Sequence, residues 1–164
     1  MNVMILYDSV FGNTEKIAEA IAAEINKDYH VKLLKADDAT AEHFTDIGLV
    51  IVGSPTRGFR ATPAINKLLE KLPKNTFQGV KVAAFDTRIS GQDIDSTVLR
   101  RLVKFFGYAA DPILKRLKKK GGEPVASPEG FFVGGTEGPL KENEIERAKE
   151  WAREILFTML HKHM

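Results

Sequence analysis

Apolar residues fall along this chain in two alternating patterns, short continuous runs and longer stretches with three- and four-residue spacing. Val3-Met4-Ile5-Leu6-Tyr7 predicts a buried strand, and Ile17, Ile21, Ala22 and Ile25 then share one face of a helix. Val31-Lys32-Leu33-Leu34 reads as a second, short strand. Leu49-Val50-Ile51-Val52 is a third, apolar throughout as parallel strands covered on both faces are. Thr62-Pro63 opens a helix, with Thr62 as N-cap, Pro63 at the first helical position, and Ile65, Leu68, Leu69 and Leu72 as its buried stripe. Residues 80–85 predict a fourth strand. Residues 98–106 have helical spacing that stops at Gly107, and Asp111-Pro112 opens a basic helix ending at Gly121-Gly122. Phe131-Phe132-Val133 is the fifth strand. In the last helix Asn143 and Glu146 have capping-box spacing, and Ile145, Ala148, Ala152, Ile155 and Met159 turn inward.

Strands separated by helices imply parallel βαβ units. Right-handed crossovers then leave a doubly wound, three-layer α/β sandwich around a five-stranded parallel sheet. A length of 164 residues suits one domain spanning 1–164, and 43% hydrophobic residues supply its core. The absence of cysteine removes disulfides, thiolate metal sites and thiol nucleophiles, and fits a reducing cytoplasm. No apolar run approaches the roughly 18 residues that span a bilayer, and the N-terminus reads as a strand, so a cytoplasmic location with no membrane span is expected. The net charge of +2 conceals a concentration of Arg100, Arg101, Lys104, Lys115, Arg116, Lys118, Lys119 and Lys120, which predicts a local basic face. No nucleic-acid-binding motif accompanies those charges, so nucleic acid is not an expected partner.

The first strand runs directly into Asp8-Ser9-Val10-Phe11-Gly12-Asn13-Thr14 and a helix N-terminus. Such a turn gathers backbone N–H groups and hydroxyls at the positive end of a helix dipole, which suits a phosphate. No Lys follows Gly12, which excludes the nucleoside-triphosphate loop, and the spacing is too short for G-x-G-x-x-G. A phosphate monoester held by neutral donors remains. Ser9-x-x-Gly12-Asn13-Thr14 resembles the FMN-phosphate loop of the flavodoxin family, with Ser9 where Thr is commoner.

That resemblance implies the flavodoxin-like strand order 2-1-3-4-5 and a ligand at the switch point between the first and third strands. It extends to Ser54-Pro55-Thr56-Arg57-Gly58-Phe59-Arg60, similar to the second flavin loop of flavodoxins, of flavodiiron flavodoxin modules and of quinone reductases on the same fold. Phe59 is the one aromatic there for stacking on the flavin ring. Asp86-Thr87-Arg88-Ile89-Ser90-Gly91 occupies the place of the third loop. It has no aromatic, so Ile89, solvent or a partner is left to cover the outer flavin face. The expected cofactor contacts are therefore Ser9, Val10, Phe11, Gly12, Asn13 and Thr14, then Pro55, Thr56, Arg57, Gly58 and Phe59, then Asp86, Thr87, Arg88 and Gly91. Arg57, Arg60 and Arg88 replace the carboxylates usual around the cofactor in electron-carrier flavodoxins and would favour its reduced anion. Gly134-Gly135-Thr136-Glu137-Gly138-Pro139-Leu140 reads as a turn, and a similar stretch occurs in one branch of the family.

For residues 94–107, whose Leu99, Leu102, Val103, Phe105 and Phe106 alternate with Arg100, Arg101 and Lys104, core packing is the first expectation. Cover over the flavin edge or a docking surface is the alternative. A phospho-accepting receiver domain is excluded, because the third strand ends in Val52-Gly53-Ser54 with no Asp. His30 and His43 are isolated, His161 and His163 sit at the chain end, and no metal site is expected. The leading expectation is an FMN-binding electron-transfer protein with redox partner proteins and no catalytic side chain. The alternatives are an FMN-dependent NAD(P)H or quinone oxidoreductase, in which an arginine binds the second substrate, and a flavin-free interaction module of the same fold.

Overall fold

The computed structural model describes residues 1–162, so His163 lies outside the described residues. Strands β1 (Asn2–Tyr7), β2 (His30–Lys35), β3 (Ile47–Pro55), β4 (Lys81–Ile89), β5 (Glu123–Pro124) and β6 (Glu129–Val133) form one parallel sheet. Its order is β2-β1-β3-β4, with β5 and β6 both paired to β4. The expected order is thus present, with the fifth position split into two short strands along the same edge of β4. Helices α1 (Asn13–Ile25), α2 (Pro63–Lys71), α3 (Thr97–Phe106), α4 (Ala110–Lys119) and α5 (Glu144–His161) connect and cover the strands.

Successive strand residues point to opposite faces, so one apolar run serves two cores. Val3, Ile5 and Tyr7 of β1 join Leu49, Ile51 and Phe85 under α1 and α5. Met4 and Leu6 join Val50, Val52, Val82 and Ala84 under α2 and α4. Each large aliphatic side chain so buried contributes about 1.5–3 kcal/mol. Trp151 of α5 is a packing residue, its ring 6.0 Å from Phe85 and 6.1 Å from Phe131, edge to face. Gly53 is fixed by close approach, because a Cβ there would lie 2.0 Å from the Phe85 ring.

Two sequence expectations need correction. The capping box at α5 does not form, because Asn143 adopts the left-handed conformation, φ 67°, and makes no side-chain cap. Glu144 takes over as anchor, accepting from the Phe132 N–H at 2.7 Å and from Arg147 at 2.7 Å. The second correction concerns residues 98–106, which form α3 but do not enter the core. None of the residues of α3 is buried, and Val98, Leu99, Phe105 and Phe106 are exposed. Ala109 and Ala110, immediately after the helix, fill the space on the sheet instead.

Candidate functional site

The carboxyl end of β1 is held beside β3 by the Asp8 N–H, which donates to the Gly53 carbonyl at 3.2 Å. The Ser9 hydroxyl then closes the turn, accepting from the N–H groups of Gly12 at 3.1 Å and Glu15 at 3.3 Å. Both contacts use its lone pairs, leaving its proton to donate outward. Gly12, at φ 90°, turns the chain into α1, with open space where a side chain would stand. The Val10 and Phe11 N–H groups find no acceptor among the described residues. Those of Asn13 and Thr14 lie in the first turn of α1, where no intrahelical acceptor exists. Thr14, from this loop, shares a buried 2.8 Å hydroxyl–hydroxyl hydrogen bond with Thr87 of β4. The Asn13 amide donates to the Glu137 carbonyl at 3.1 Å and so fastens the 134–140 turn against the loop. Just beneath, Tyr7 donates to Glu15 at 2.7 Å, and burial together with that carboxylate pushes its hydroxyl up to about 12.

These elements enclose a cleft of about 270 Å³ at the carboxyl ends of β1, β3 and β4. It brings together Ser9, Val10, Phe11, Asn13 and Thr14 from the first loop, Pro55, Thr56, Arg57 and Gly58 from the second, and Thr87, Arg88 and Ile89 from β4. Val133 and Thr136 also line it and were not anticipated. Their signal was available, since the last strand must also deliver its carboxyl-end loop to this side of the sheet.

Four expected contacts do not line the cleft: Gly12, which only turns the loop, and Phe59, Asp86 and Gly91, which face elsewhere. Phe59 has φ 67° beside Gly58 at φ 54°, and paired backbone hydrogen bonds between Arg57 and Arg60, 2.8 and 3.0 Å, close a tight two-residue turn around them. That turn rotates the Phe59 ring out of the cleft and onto Phe106 of α3, 5.6 Å between centroids. Asp86 lies within β4, which continues through residue 89, and its carboxylate is fully buried and absent from the cleft lining. Gly91 sits in the following 3₁₀ turn, away from the cleft.

Asp86 nonetheless acts on the site through Arg88. Its two oxygens accept from Arg88 Nε at 2.6 Å and Nη2 at 2.7 Å, and one also accepts from the Ala110 N–H at 2.9 Å, at the start of α4. Burial pushes the Asp86 carboxyl up from its ordinary value, while the guanidinium and the Ala110 N–H pull it down. Tyr108 stacks over Arg88, 3.8 Å from ring centroid to guanidinium carbon, and donates to the Ile89 carbonyl at 3.2 Å. Tyr108, twenty residues downstream of Arg88, thus covers the guanidinium without lining the cleft, a contact that spacing gave no sign of. Thr56 is fixed from the same segment, its hydroxyl accepting from the Ala109 N–H at 3.0 Å.

Neutral donors thus converge at one end of the cleft. Pro55, Ile89, Val133 and Phe11 supply apolar walls, and Arg57 and Arg88 stand toward the second and third loops. The donor end suits a phosphate monoester and the walls suit a flat ring, so the arrangement fits FMN. Among the described residues no group of side chains has the composition of a metal site.

The family model for flavodoxin matches residues 5–151. Among solved structures, a flavodoxin from the domain Archaea superimposes with a TM-score of 0.76 at 20% identity, covering 98% of this chain and 100% of that one. Flavodoxin 2 from Bacillus cereus gives 0.75 at 23% identity, covering 96% and 99%. The rubredoxin oxygen:oxidoreductase of Desulfovibrio gigas gives 0.74 at 24% identity, covering 98% of this chain and 36% of that one. Among curated proteins none matches the chain.

Proposed function

The chain belongs to the flavodoxin family and is an FMN-binding electron-transfer protein, and from that premise we propose which residues hold the cofactor and how the protein works. The Ser9 to Thr14 loop would hold the phosphate through its backbone N–H groups and the Ser9 and Thr14 hydroxyls, and Pro55, Thr56, Gly58, Thr87, Arg88 and Ile89 would line the place of the ring system. The observation that carries this assignment is the set of outward-facing, unpartnered donors at the N-terminus of α1, in the same cleft as the apolar ends of β3 and β4. When bound, FMN supplies one- and two-electron redox chemistry. The protein's own part is to orient it, screen one face from water and set the local charge.

Arg57 and Arg88 define that charge. Arg88 is immobilised by Asp86 and Tyr108, so a fixed cation stands at the cleft wall and favours whichever cofactor state carries more negative charge. We propose a cytoplasmic carrier that passes electrons between protein partners and needs no catalytic side chain. The exposed Arg57 at the mouth, its guanidinium 5.5 Å from the Phe11 ring, favours a second reading. On that reading NAD(P)H or a quinone binds there and the protein is an oxidoreductase. Among the described residues no helix is long and apolar enough to cross a membrane.

Titration of the apoprotein with FMN under flavin fluorescence is the test, with riboflavin as the phosphate-free control. One-to-one quenching by FMN is expected, with riboflavin at least about 100-fold weaker, since several charge-assisted hydrogen bonds of about 1.5–3 kcal/mol are lost. Equal affinities would remove the phosphate loop from the assignment, and no quenching at micromolar protein would remove the cofactor. Bleaching by NADPH alone, with turnover on a quinone, would decide for the oxidoreductase.

A further inference from the structure

The feature the proposed function does not use is α3. Its spacing puts Val98, Leu99, Leu102, Val103, Phe105 and Phe106 on one side and Arg100, Arg101 and Lys104 on the other, yet it packs on neither face of the sheet. Phe105 is 83% exposed and Val98 67%, although an amphipathic helix normally buries its apolar side. The chain also holds α3 in place. Ser96 caps its N-terminus, accepting from the Leu99 N–H, and Arg100 donates to the Ile94 carbonyl. At the other end Tyr108 and Ala109 are tied to Ile89 and Thr56 at the candidate site. A fixed, unpartnered apolar surface beside a redox site marks a contact surface.

Its surroundings specify the partner. Between α3, the Gly58-Phe59 turn and α4 lies a second cleft, about 600 Å³, walled by Phe59, Phe106, Pro112 and Ile113 and flanked by Arg60 and Arg116. It shares Gly58 with the candidate site. Phe59 is held at a left-handed backbone angle that costs a non-glycine residue about 1–3 kcal/mol, and the conformation delivers its ring to this wall. An aromatic centre ringed by arginines is the composition of an interface hot spot. The charges of the surrounding segments are predominantly positive, Arg57, Arg60, Arg100, Arg101, Lys104 and Arg116 against Asp93, Asp95 and Asp111, which opposes docking of a second copy on the same face. The concavity favours a projecting side chain over the flat surface of a bilayer.

We propose that the α3 surface and the cleft walled by Phe59 and Phe106 form the docking site for an acidic electron-carrier protein that inserts an apolar side chain into that cleft, against Phe59, Phe106, Pro112 and Ile113. The site is continuous with the mouth of the cofactor cleft, where Val10 and Phe11 are exposed, so a carrier bound there lies beside the cofactor edge. This rests on the FMN reading for its purpose, but the docking itself is measurable without flavin.

The experiment is calorimetric titration of the apo and FMN-loaded protein with an acidic [2Fe–2S] ferredoxin and, separately, with basic cytochrome c. Each is run at low salt and at about 0.15 M, where the screening length falls to about 8 Å. One-to-one binding of the ferredoxin to both forms is expected, weakened by salt, with no binding of cytochrome c. The triple variant Arg100→Glu/Arg101→Glu/Lys104→Glu should weaken it about 100-fold and Phe106→Ala about tenfold, in line with rim charges and an aromatic anchor. FMN affinity and circular dichroism should stay unchanged in both variants. Equal binding of the two carriers, or ferredoxin affinity indifferent to both variants, would overturn the proposal. So would a concentration-dependent dimer or binding to phosphatidylserine vesicles that hides α3 while ferredoxin fails to bind. Loss of FMN binding with ferredoxin binding intact would count against the cofactor assignment and leave the docking site standing.

Discussion

The Asp86–Arg88 pair offers a sharp test, because its charge is buried on one side and faces the cleft on the other. Asp86 is fully buried and receives three hydrogen bonds, two of them from a guanidinium that is only 17% exposed. Arg88→Ala leaves the carboxylate in the protein interior with the Ala110 N–H alone. Breaking a buried pair from one side costs about 3–5 kcal/mol. Asp86→Asn keeps the shape and one acceptor but loses the charge assistance, which puts its cost at about 2–3 kcal/mol. The double variant removes both charges, so its cost should be close to that of Arg88→Ala alone and far below the sum. That corresponds to a coupling of about 2–3 kcal/mol, at the upper end of values for residues in one network. Urea unfolding of the apoproteins, followed by fluorescence of the buried Trp151, measures all four corners of the cycle. The pH dependence supplies a second check. Burial raises the folded pKa of Asp86, so the stability linked to its protonated form is present below the unfolded value of about 3.9 and is lost as pH rises through the folded value. Without Arg88 the folded value rises further, so the defect in Arg88→Ala should be largest at neutral pH and shrink on acidification. A coupling under about 0.5 kcal/mol, or a defect that grows as the pH falls, would refute the reasoning.

Gly12→Ala should lower the stability of the apoprotein by about 1–2 kcal/mol in urea unfolding while leaving the fold intact. Space is open at that position but φ is 90°, and the left-handed region costs an alanine that amount. Gly53→Ala acts through packing, since its Cβ would sit 2.0 Å from the Phe85 ring, and thermal unfolding should show a loss of about 3 kcal/mol or more or no folded protein. Glu144 is held below the ordinary carboxylate range although burial works the other way, because Arg147 and the Phe132 N–H outweigh it. Its stabilisation is therefore complete above the unfolded value near 4.3 and lost as pH falls through the lower folded value. Glu144→Gln should cost about 1.5–3 kcal/mol at neutral pH and little in acid, as read by urea midpoints across pH.

The first loop could be recognised because its chemistry is local. Ser9, Gly12 and the hydroxyl of Thr14 act within one turn, and both the positive φ and the cap are properties of neighbouring residues. The doubly covered sheet was legible for a related reason, since continuous apolar runs in β1 and β3 require cover on both faces, whereas the strand order followed only from the family resemblance. Where the reading failed, the deciding partner lay far off in sequence. Asp86 to Ile89 looked like loop because β4 shows no pattern beyond Phe85. Its extension is stabilised by pairing with Gly130 to Val133, about forty-five residues downstream. Phe59 was read as a stacker on residue type alone, and only the paired Arg57–Arg60 hydrogen bonds determine that its ring leaves the cleft.

The misreading of α3 has a different origin, and it bears on function. Periodicity reports that a face is apolar but not what covers it, and in nearly every helix the protein's own core is the economical answer. Here that position on the sheet is taken by Ala109 and Ala110, which are small enough to let the chain pass directly from Tyr108 into α4. The cost of leaving two phenylalanines in water, of order 1.5–3 kcal/mol each, is then recoverable only by burial in another molecule. Such a helix persists as an ordered element because its ends are tied down, at Ser96 by the cap and at Tyr108 by the same side chain that covers Arg88. The residue that fixes the cation at the cofactor cleft therefore also fixes the platform on which a partner arrives. Displacing Tyr108, by Tyr108→Ala, should lower the affinity for the acidic carrier and change the reduction potential of the bound flavin together. A change in one without the other would show that the two features are independent.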